Sequence, residues 1–230
     1  MGSVDSSRPA TMLRCLRAAA LLLAVRVVVG TVWGYRDYVP PNFASDFLAG
    51  RERLFWTLYG GGYAAAFSIH LVVGPITLLL AGLLHCGPLR RRRLGRHRRL
   101  GRVQVALVVG LLAPSGLVMA TWAASGPVAA VSLMTLALAT AATAILGTRA
   151  AIRRRMETHQ RWMTRCTLLL LSAVALRLLG GLGVVLGITA AWYDPAITWA
   201  AWVGPLAAYE IRLRMRRRQK SPTGSPRMSF

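Results

Sequence analysis

The stretch Glu157-Thr158-His159-Gln160-Arg161-Trp162-Met163-Thr164-Arg165 lies where a basic segment ends and a long apolar segment begins. Tryptophan and arginine suit a boundary between water and lipid, because each can place its polar end among headgroups while its apolar part contacts hydrocarbon. We therefore interpret this stretch as part of an inner-face collar around a bundle of membrane-spanning helices. The predicted collar comprises His97, Arg98, Arg102, His159, Trp162 and Arg165.

The composition favours a membrane protein over a nucleic-acid-binding one. Of the 230 residues 55% are hydrophobic and 16% are charged, whereas a soluble domain has about 25% charged residues. The net charge of +22 would also suit a basic surface that neutralises phosphates. Here, however, the charge falls in blocks between apolar runs of about 20 residues, the length of a helix that crosses a bilayer. We therefore expect the lipid bilayer, and not nucleic acid, as the partner.

Five to six apolar runs predict an all-α fold, an integral membrane helical bundle. The first run could instead be a cleaved signal peptide, but Arg26 interrupts it and no clear small-x-small site follows, so we expect a retained helix. The sixth contains Gly204-Pro205 and is short, so it either spans a locally thinned bilayer or is re-entrant, and we favour spanning. The predicted spans are Met12–Trp33, Tyr59–Leu84, Val103–Trp122, Val128–Ala150, Met163–Trp192 and Ala196–Ile211.

The distribution of lysine and arginine predicts the orientation of the bundle. Cytoplasmic loops collect positive charge, and most of the 29 Lys and Arg residues share one face when the amino terminus is placed inside. The basic segments on that face are residues 90–102, residues 149–165 and the carboxyl-terminal tail. We expect a multi-pass protein of the cell (inner or plasma) membrane, with a cytoplasmic amino terminus and anionic lipid headgroups against its inner face.

Three regions follow from this layout. Residues 1–11 are predicted to be a disordered amino terminus, residues 12–211 the transmembrane bundle, and residues 212–230 a basic, disordered tail. Cys15, Cys86 and Cys166 all fall near the cytoplasmic face, where thiols stay reduced, so no disulfide is expected. Their spacing fits no zinc motif, and no metal site is predicted.

Three basic residues inside the predicted spans, Arg26, His70 and Arg177, are candidate ligand-binding residues. An arginine at the bilayer centre costs about 2.5–3.5 kcal/mol on insertion scales, so it faces the bundle interior or extends to the surface. No Asp or Glu lies deep in a predicted span to pair with them. We expect an outward-open pocket for an anionic or carbonyl-bearing ligand, such as a lipid headgroup, a quinone or a haem propionate. The alternative is that both arginines bond to backbone carbonyls and trapped water.

The histidines also allow a redox protein. His97 and His159, at the cytoplasmic starts of the third and fifth predicted spans, could hold b-type haem or could be interfacial polar residues. His70 lies about 14 residues from the inner end of its span, which is about 21 Å along a helix. It therefore cannot share a compact metal site with the other two histidines.

The order of several polar residues resembles the predicted multi-pass membrane proteins grouped as domain of unknown function 2306. Those residues are His70, His97-Arg98, Gly101-Arg102, His159-x-x-Trp162-Met163-x-Arg165 and Leu176-Arg177. The resemblance covers roughly residues 65–190, and His-x-x-Trp-Met-x-Arg is its most specific element. A tyrosine usual in the family after Gly-Arg is Gln104 here. The resemblance implies a membrane fold and draws attention to His70, His97, His159, Arg165 and Arg177, but the family has no assigned activity and so implies no reaction.

No motif in the sequence identifies an enzyme, since the chain has no Walker-type loop, no dinucleotide-binding glycine pattern and no His-Glu-x-x-His. Gly183-x-x-x-Gly187 would let another helix approach closely and permits a homo-oligomer. Two functions remain open. The protein is either a binder or transporter of a small ligand through the intramembrane pocket, or a b-type haem or quinone redox protein that uses His70, His97 and His159.

Overall fold

The computed structural model describes residues 22, 26, 29–30, 33–44, 48, 52–57, 62–85 and 92–220. Within these residues most of the chain is helical, and no β-strand is present. Short turns join successive helices from residue 94 onward. In the described part of the chain the α-helices are α1 Glu52–Thr57, α2 Gly62–His85, α3 Leu94–Ala120, α4 Gly126–Ile152, α5 Met156–Val185 and α6 Tyr193–Lys220.

Four of these described helices, α2 to α5, are both long enough and apolar enough to cross a membrane. They have 24, 27, 27 and 30 residues, and about 20 residues suffice for the hydrocarbon core. The chain is therefore an all-helical, multi-pass membrane bundle, as predicted. The described residues contain four such helices, slightly fewer than the five to six expected for the whole chain. The predicted first span, Met12–Trp33, lies largely outside the described residues. α6 has 28 residues but is more polar, because Asp194 and Glu210 bracket its central part.

Several predicted helix starts and ends are wrong, because basic segments continue the helices. α3 begins at Leu94, within the segment predicted to be a loop, and α5 begins at Met156, seven residues before the predicted start. α6 continues to Lys220 and so includes residues 212–220, which were assigned to the disordered tail. Arginine, lysine, leucine and glutamine all have high helix propensity, so positive charge alone does not end a helix.

α5 ends at Val185, although the sequence predicted helix to Trp192. Gly187 has a φ of 65°, the left-handed conformation that glycine adopts at little steric cost. The N–H of Ile188 donates to the carbonyl of Gly183 at 2.9 Å, the pattern of a Schellman motif. The chain therefore leaves the helix here and turns toward α6.

α4 packs against its neighbours through small side chains. The hydrophobic effect does not favour association of helices within lipid. Small residues let two helix backbones approach closely, and van der Waals packing then stabilises the contact. Trp202 of α6 donates its indole N–H to the hydroxyl of Ser132 at 3.1 Å, and both residues are buried. The buried residues of α4 are Ala129, Ser132, Thr140, Thr143, Ala144, Gly147 and Ala150.

The four candidate spans share one buried core. Each span contributes at least one residue, so the cluster links helices that are far apart in sequence. Within α3 a π-helical turn at Val108–Leu112 interrupts the α-helix, and its first and last residues both belong to this core. The core residues are Val73, Ala81, Val108, Leu112, Ala144, Cys166 and Leu170.

Residues 1–63 form a separate compact unit from residues 64–230. The described part of this unit contains edge-on aromatic contacts, with ring centroids 5.5 Å apart for Phe43 and Phe55 and 6.4 Å apart for Phe55 and Tyr63. Such geometry is preferred because the positive edge of one ring meets the negative face of another. Phe55 and Leu48 are buried, so these rings give the unit a small core of its own.

Candidate functional site

His70 is held inside the bundle by a side chain from α3. It lies eight residues after the start of α2, which is about 12 Å along the helix. Its Nδ1 is 3.2 Å from the hydroxyl oxygen of Ser115. Ser115 donates its own proton to the carbonyl of Leu112 at 3.0 Å, so its oxygen accepts the Nδ1 proton of the imidazole. In the neutral ring the other nitrogen, Nε2, is then an acceptor.

Small residues on α3 and α4 provide the space for this imidazole. A Cβ built on Gly116 would lie 3.3 Å from the imidazole Cε1 of His70 and 3.7 Å from the Cβ of Ala137. Glycine is therefore the residue that fits between ring and helix here. The π-helical turn at Val108–Leu112 ends three residues before Ser115, and such turns are frequent at functional sites. Pro114 follows this turn and has no N–H for the usual helical bond to Gly110.

Arg177 of α5 is the second candidate ligand-binding residue in this part of the chain. Arg177 donates from Nη1 to the carbonyl of Ala173 at 3.1 Å, and its side chain is exposed. This backbone contact matches the alternative that the sequence left open for the arginines. An arginine has five N–H donors, and the contact with Ala173 needs one of them.

Two of the three predicted pocket residues, His70 and Arg177, belong to the unit formed by residues 64–230. His70 lies eight residues after the start of α2, and Arg177 lies eight residues before the end of α5. Arg26 is helical and exposed and belongs to the other unit, formed by residues 1–63. A pocket that includes Arg26 therefore remains a prediction.

His159, three residues after the start of α5, is bonded to α4. Its Nδ1 lies 2.8 Å from the carbonyl oxygen of Gly147. A Cβ on Gly147 would lie 2.6 Å from the sulfur of Met163 and 3.4 Å from the Cβ of Trp162. The His-x-x-Trp-Met part of the motif therefore packs against the backbone of α4 at Gly147, where the absence of a side chain leaves room for Met163 and Trp162.

Arg165 completes the motif by bonding to α6. Its Nε donates to Glu210 Oε1 at 2.6 Å and its Nη2 to Glu210 Oε2 at 3.1 Å, a two-pronged ion pair. The guanidinium also lies 4.6 Å from the ring centroid of Trp162 and 5.8 Å from that of Tyr209. Such planar contacts suit arginine, whose flat guanidinium can bond to a carboxylate and stack on a ring at once. The motif thus ties α4, α5 and α6 together.

The remaining collar residues lie at the start of α3. His97 is half-buried, and Arg98 and Arg102 are exposed. Another histidine not assigned to the collar, His85 at the end of α2, lies 3.4 Å from the hydroxyl of Thr167 in α5. No group of three or more His, Cys, Asp or Glu side chains that could hold a metal ion occurs among the described residues. Cys166 is buried as a free thiol, as expected, while Cys15 and Cys86 lie outside the described residues.

Gly183 and Gly187 have roles within the chain. The ring of Tyr193 from α6 packs against Gly183, and its hydroxyl donates to the carbonyl of Leu179 at 2.6 Å. Gly187 lies beyond the end of α5 with a positive φ. One glycine is therefore covered by an aromatic ring and the other ends a helix. A contact between copies of the chain through these glycines stays a prediction.

Sequence reasoning missed several residues that build these contacts. The sequence alone gave no role to Ser115 or Glu210. Gly147 and Gln104 were not assigned any role. A small residue at a helix contact and a polar residue one turn from an apolar stripe are the patterns that could have identified them.

The comparisons with known proteins agree with the fold. A family model described as predicted membrane protein (DUF2306) matches residues 67–212, which is more than half of the chain. A search of curated proteins gave no match. A search of solved structures gave no match either.

Proposed function

The chain belongs to the family of predicted membrane proteins called domain of unknown function 2306, and from this premise we propose that it binds or transports a small ligand within the membrane. The site comprises His70, Ser115 and Arg177, and its ligand is anionic or bears a carbonyl group. The observation that carries the proposal is the imidazole of His70 in α2, whose Nδ1 lies 3.2 Å from the hydroxyl of Ser115 in α3. An ionisable residue inside a span is a candidate functional residue by default, because its burial is costly.

Charge balance supports an anionic or carbonyl-bearing ligand. Helices α2 to α5 contain a single acidic residue, Glu157, which lies at the inner start of α5. The Arg177 guanidinium therefore has no carboxylate at its own depth in these four helices. A ligand oxygen would supply the missing acceptor, and His70 Nε2 would accept a ligand hydroxyl or, when protonated, donate to a second oxygen.

The position of the protein in the cell is part of the same proposal. The excess of arginine on one side places the amino terminus in the cytoplasm and the protein in the cell membrane. Anionic headgroups then neutralise the basic residues that continue α3 and α6 past the apolar core. α6 crosses the bilayer beside α4 and α5, supported by the Trp202–Ser132 and Arg165–Glu210 contacts.

The test is to compare the small molecules that remain bound to the purified protein. We expect mass spectrometry of detergent extracts to find a compound with the unaltered chain that is lost from both His70→Ala and Arg177→Leu. His85→Ala and Arg153→Leu are matched controls, because both residues lie near the inner ends of their helices. Equal retention in all five proteins, at equal abundance, would rule out the site.

A redox role is the second candidate. His70 and His159 are each fixed through Nδ1, an arrangement also seen in metal-bound histidines. The two residues lie at different depths, since His70 precedes the inner end of α2 by fifteen residues or about 22 Å. A quinone, by contrast, is a carbonyl-bearing ligand of the proposed class. Purified protein with a Soret band that is lost in His70→Ala, His97→Ala or His159→Ala would support bound haem. A colourless, iron-free sample would rule out the haem hypothesis.

A further inference from the structure

The amide of Gln104 in α3 is buried with one of its two polar groups unsatisfied. Gln104 is 2% exposed, and its Nε2 donates to the carbonyl of Thr77 in α2 at 2.9 Å. Its Oε1 is buried and has no hydrogen-bond partner among the described residues. If the amide nitrogen and oxygen of Gln104 were exchanged, the amide oxygen would face the carbonyl oxygen of Thr77, and two acceptors would meet. The contact with Thr77 therefore determines that Oε1 is the atom without a partner among the described residues.

This amide faces the core shared by the four spans. Thr77 lies four residues from both Val73 and Ala81 on α2, and all three are buried. Gln104 lies one turn before Val108, a core residue with no exposed surface. Residues four apart share a helix face, so the amide lies on the bundle side of both helices and not on the lipid side.

The hydroxyl groups of this core cannot supply the missing donor. Thr77 donates to the carbonyl of Gly74 at 2.8 Å. Thr143 donates to the carbonyls of Ala139 and Thr140, both at 2.9 Å. Each hydroxyl has one proton, and each is already used within its own helix. Among the described residues, these core hydroxyls therefore leave Gln104 Oε1 without a donor.

We propose that Gln104 Oε1 accepts a hydrogen bond from a water molecule held in the core between the spans. A neutral O–H donor is the ligand that the site requires, since the oxygen is an uncharged acceptor, and water is the smallest one. Buried waters commonly satisfy polar groups that the chain leaves unpaired. The π-helical turn at Val108–Leu112 begins one turn beyond Gln104. It separates this hydrated site from the His70–Ser115 contact, so the inference is independent of the proposed function.

The test is isotope-edited infrared spectroscopy of the full chain in nanodiscs of synthetic phosphatidylcholine. The chain has three glutamines, Gln104, Gln160 and Gln219, so labelling their side-chain carbonyls with carbon-13 and subtracting the Gln104→Met spectrum isolates one band. We expect that band at a low, hydrogen-bonded frequency that changes when H₂O is replaced by D₂O, by more than deuteration of the Gln104 amide itself produces. If Gln104→Met does not accumulate, the Gln104→Glu variant takes its place, because it also removes the labelled amide.

Each other result overturns the proposal. A band at the frequency of a free carbonyl would mean that the oxygen is unpaired. A low-frequency band that does not respond to D₂O would identify a non-exchanging donor, and a low-frequency band seen only in native lipids would identify the hydroxyl of a bound compound. Gln160→Met, at an exposed position, is the control.

Discussion

At the scale of single residues, glycines decide how close the polar side chains of the bundle come to their partners. Gly116 leaves room for the imidazole of His70, and Gly147 leaves its backbone open to Met163. In both places a methyl group would occupy space that another side chain fills. Glycine lowers helix stability by about 0.5–1 kcal/mol relative to alanine. These positions therefore have lower helix propensity but allow closer contact between helices.

Gly116→Ala should weaken the His70–Ser115 contact and destabilise the protein by about 1 kcal/mol, because its Cβ would crowd the imidazole ring. Gly101→Ala is the matched control on the same helix, since nothing lies within 4 Å of its added Cβ. The control should gain stability through helix propensity. The two variants should therefore shift in opposite directions in thermal unfolding in one detergent. Equal shifts would show that Gly116 does not position His70.

Gly147→Ala should have a larger effect, about 1–3 kcal/mol of destabilisation, because its Cβ would lie 2.6 Å from the sulfur of Met163. The adjacent hydrogen bond between His159 and the Gly147 carbonyl should lengthen as well. Shortening the crowded side chain in the double variant Gly147→Ala/Met163→Ala should recover part of the loss. A double-variant cycle with no coupling between these positions would contradict the packing described here.

At the scale of helices, the His-x-x-Trp-Met-x-Arg motif near the start of α5 joins three helices. His159 and Met163 contact α4, whereas Arg165 reaches Glu210 on α6. The basic segments before the third and fifth predicted spans are partly helical, because α3 and α5 begin within them. Each of these helices therefore extends beyond its apolar stretch. The motif consequently lies within α5, and its residues point to different neighbours because they occupy different faces of one helix.

Arg165→Leu and Glu210→Gln should each destabilise the contact between α5 and α6. The pair is partly shielded, with side-chain exposures of 18% and 33%. We expect a loss of about 1–3 kcal/mol, the range for a hydrogen bond to a charged group. The double variant Arg165→Leu/Glu210→Gln should lose less than the sum, because neither charge is left alone. Thermal unfolding of the four proteins measures this coupling, and strict additivity would show that the pair does not hold α6.

At the scale of the whole molecule, charge and hydropathy act on different features. The net charge of +22 is concentrated at one end of the spans, which predicts orientation in the membrane. The apolar core is small. Residues with polar side-chain groups are buried in the bundle as well, namely Thr77, Gln104, Thr143 and Cys166. Such groups are tolerated because hydrogen bonds within the bundle replace those that water would supply.

Reporter fusions test the orientation directly. A reporter that is active only in the cytoplasm should work when fused after Arg93 or after Arg155, since both positions lie in basic segments. A reporter that is active only after export should work when fused after Ser125, in the turn between α3 and α4. The opposite pattern of activity would reverse the membrane layout and place the His70 site nearer the cytoplasm.

The sequence by itself determined the membrane fold, because runs of apolar residues long enough to cross a bilayer are a local property that needs no knowledge of neighbours. It also identified His70, Arg177 and the collar motif as unusual, since polar residues in or beside such runs are costly. Only the tertiary structure decided their partners. Ser115 meets His70 and Glu210 meets Arg165 across 45 residues of chain. Contacts of that kind depend on how helices rotate and pack against one another, which small residues such as Gly116 and Gly147 control and which hydropathy does not record.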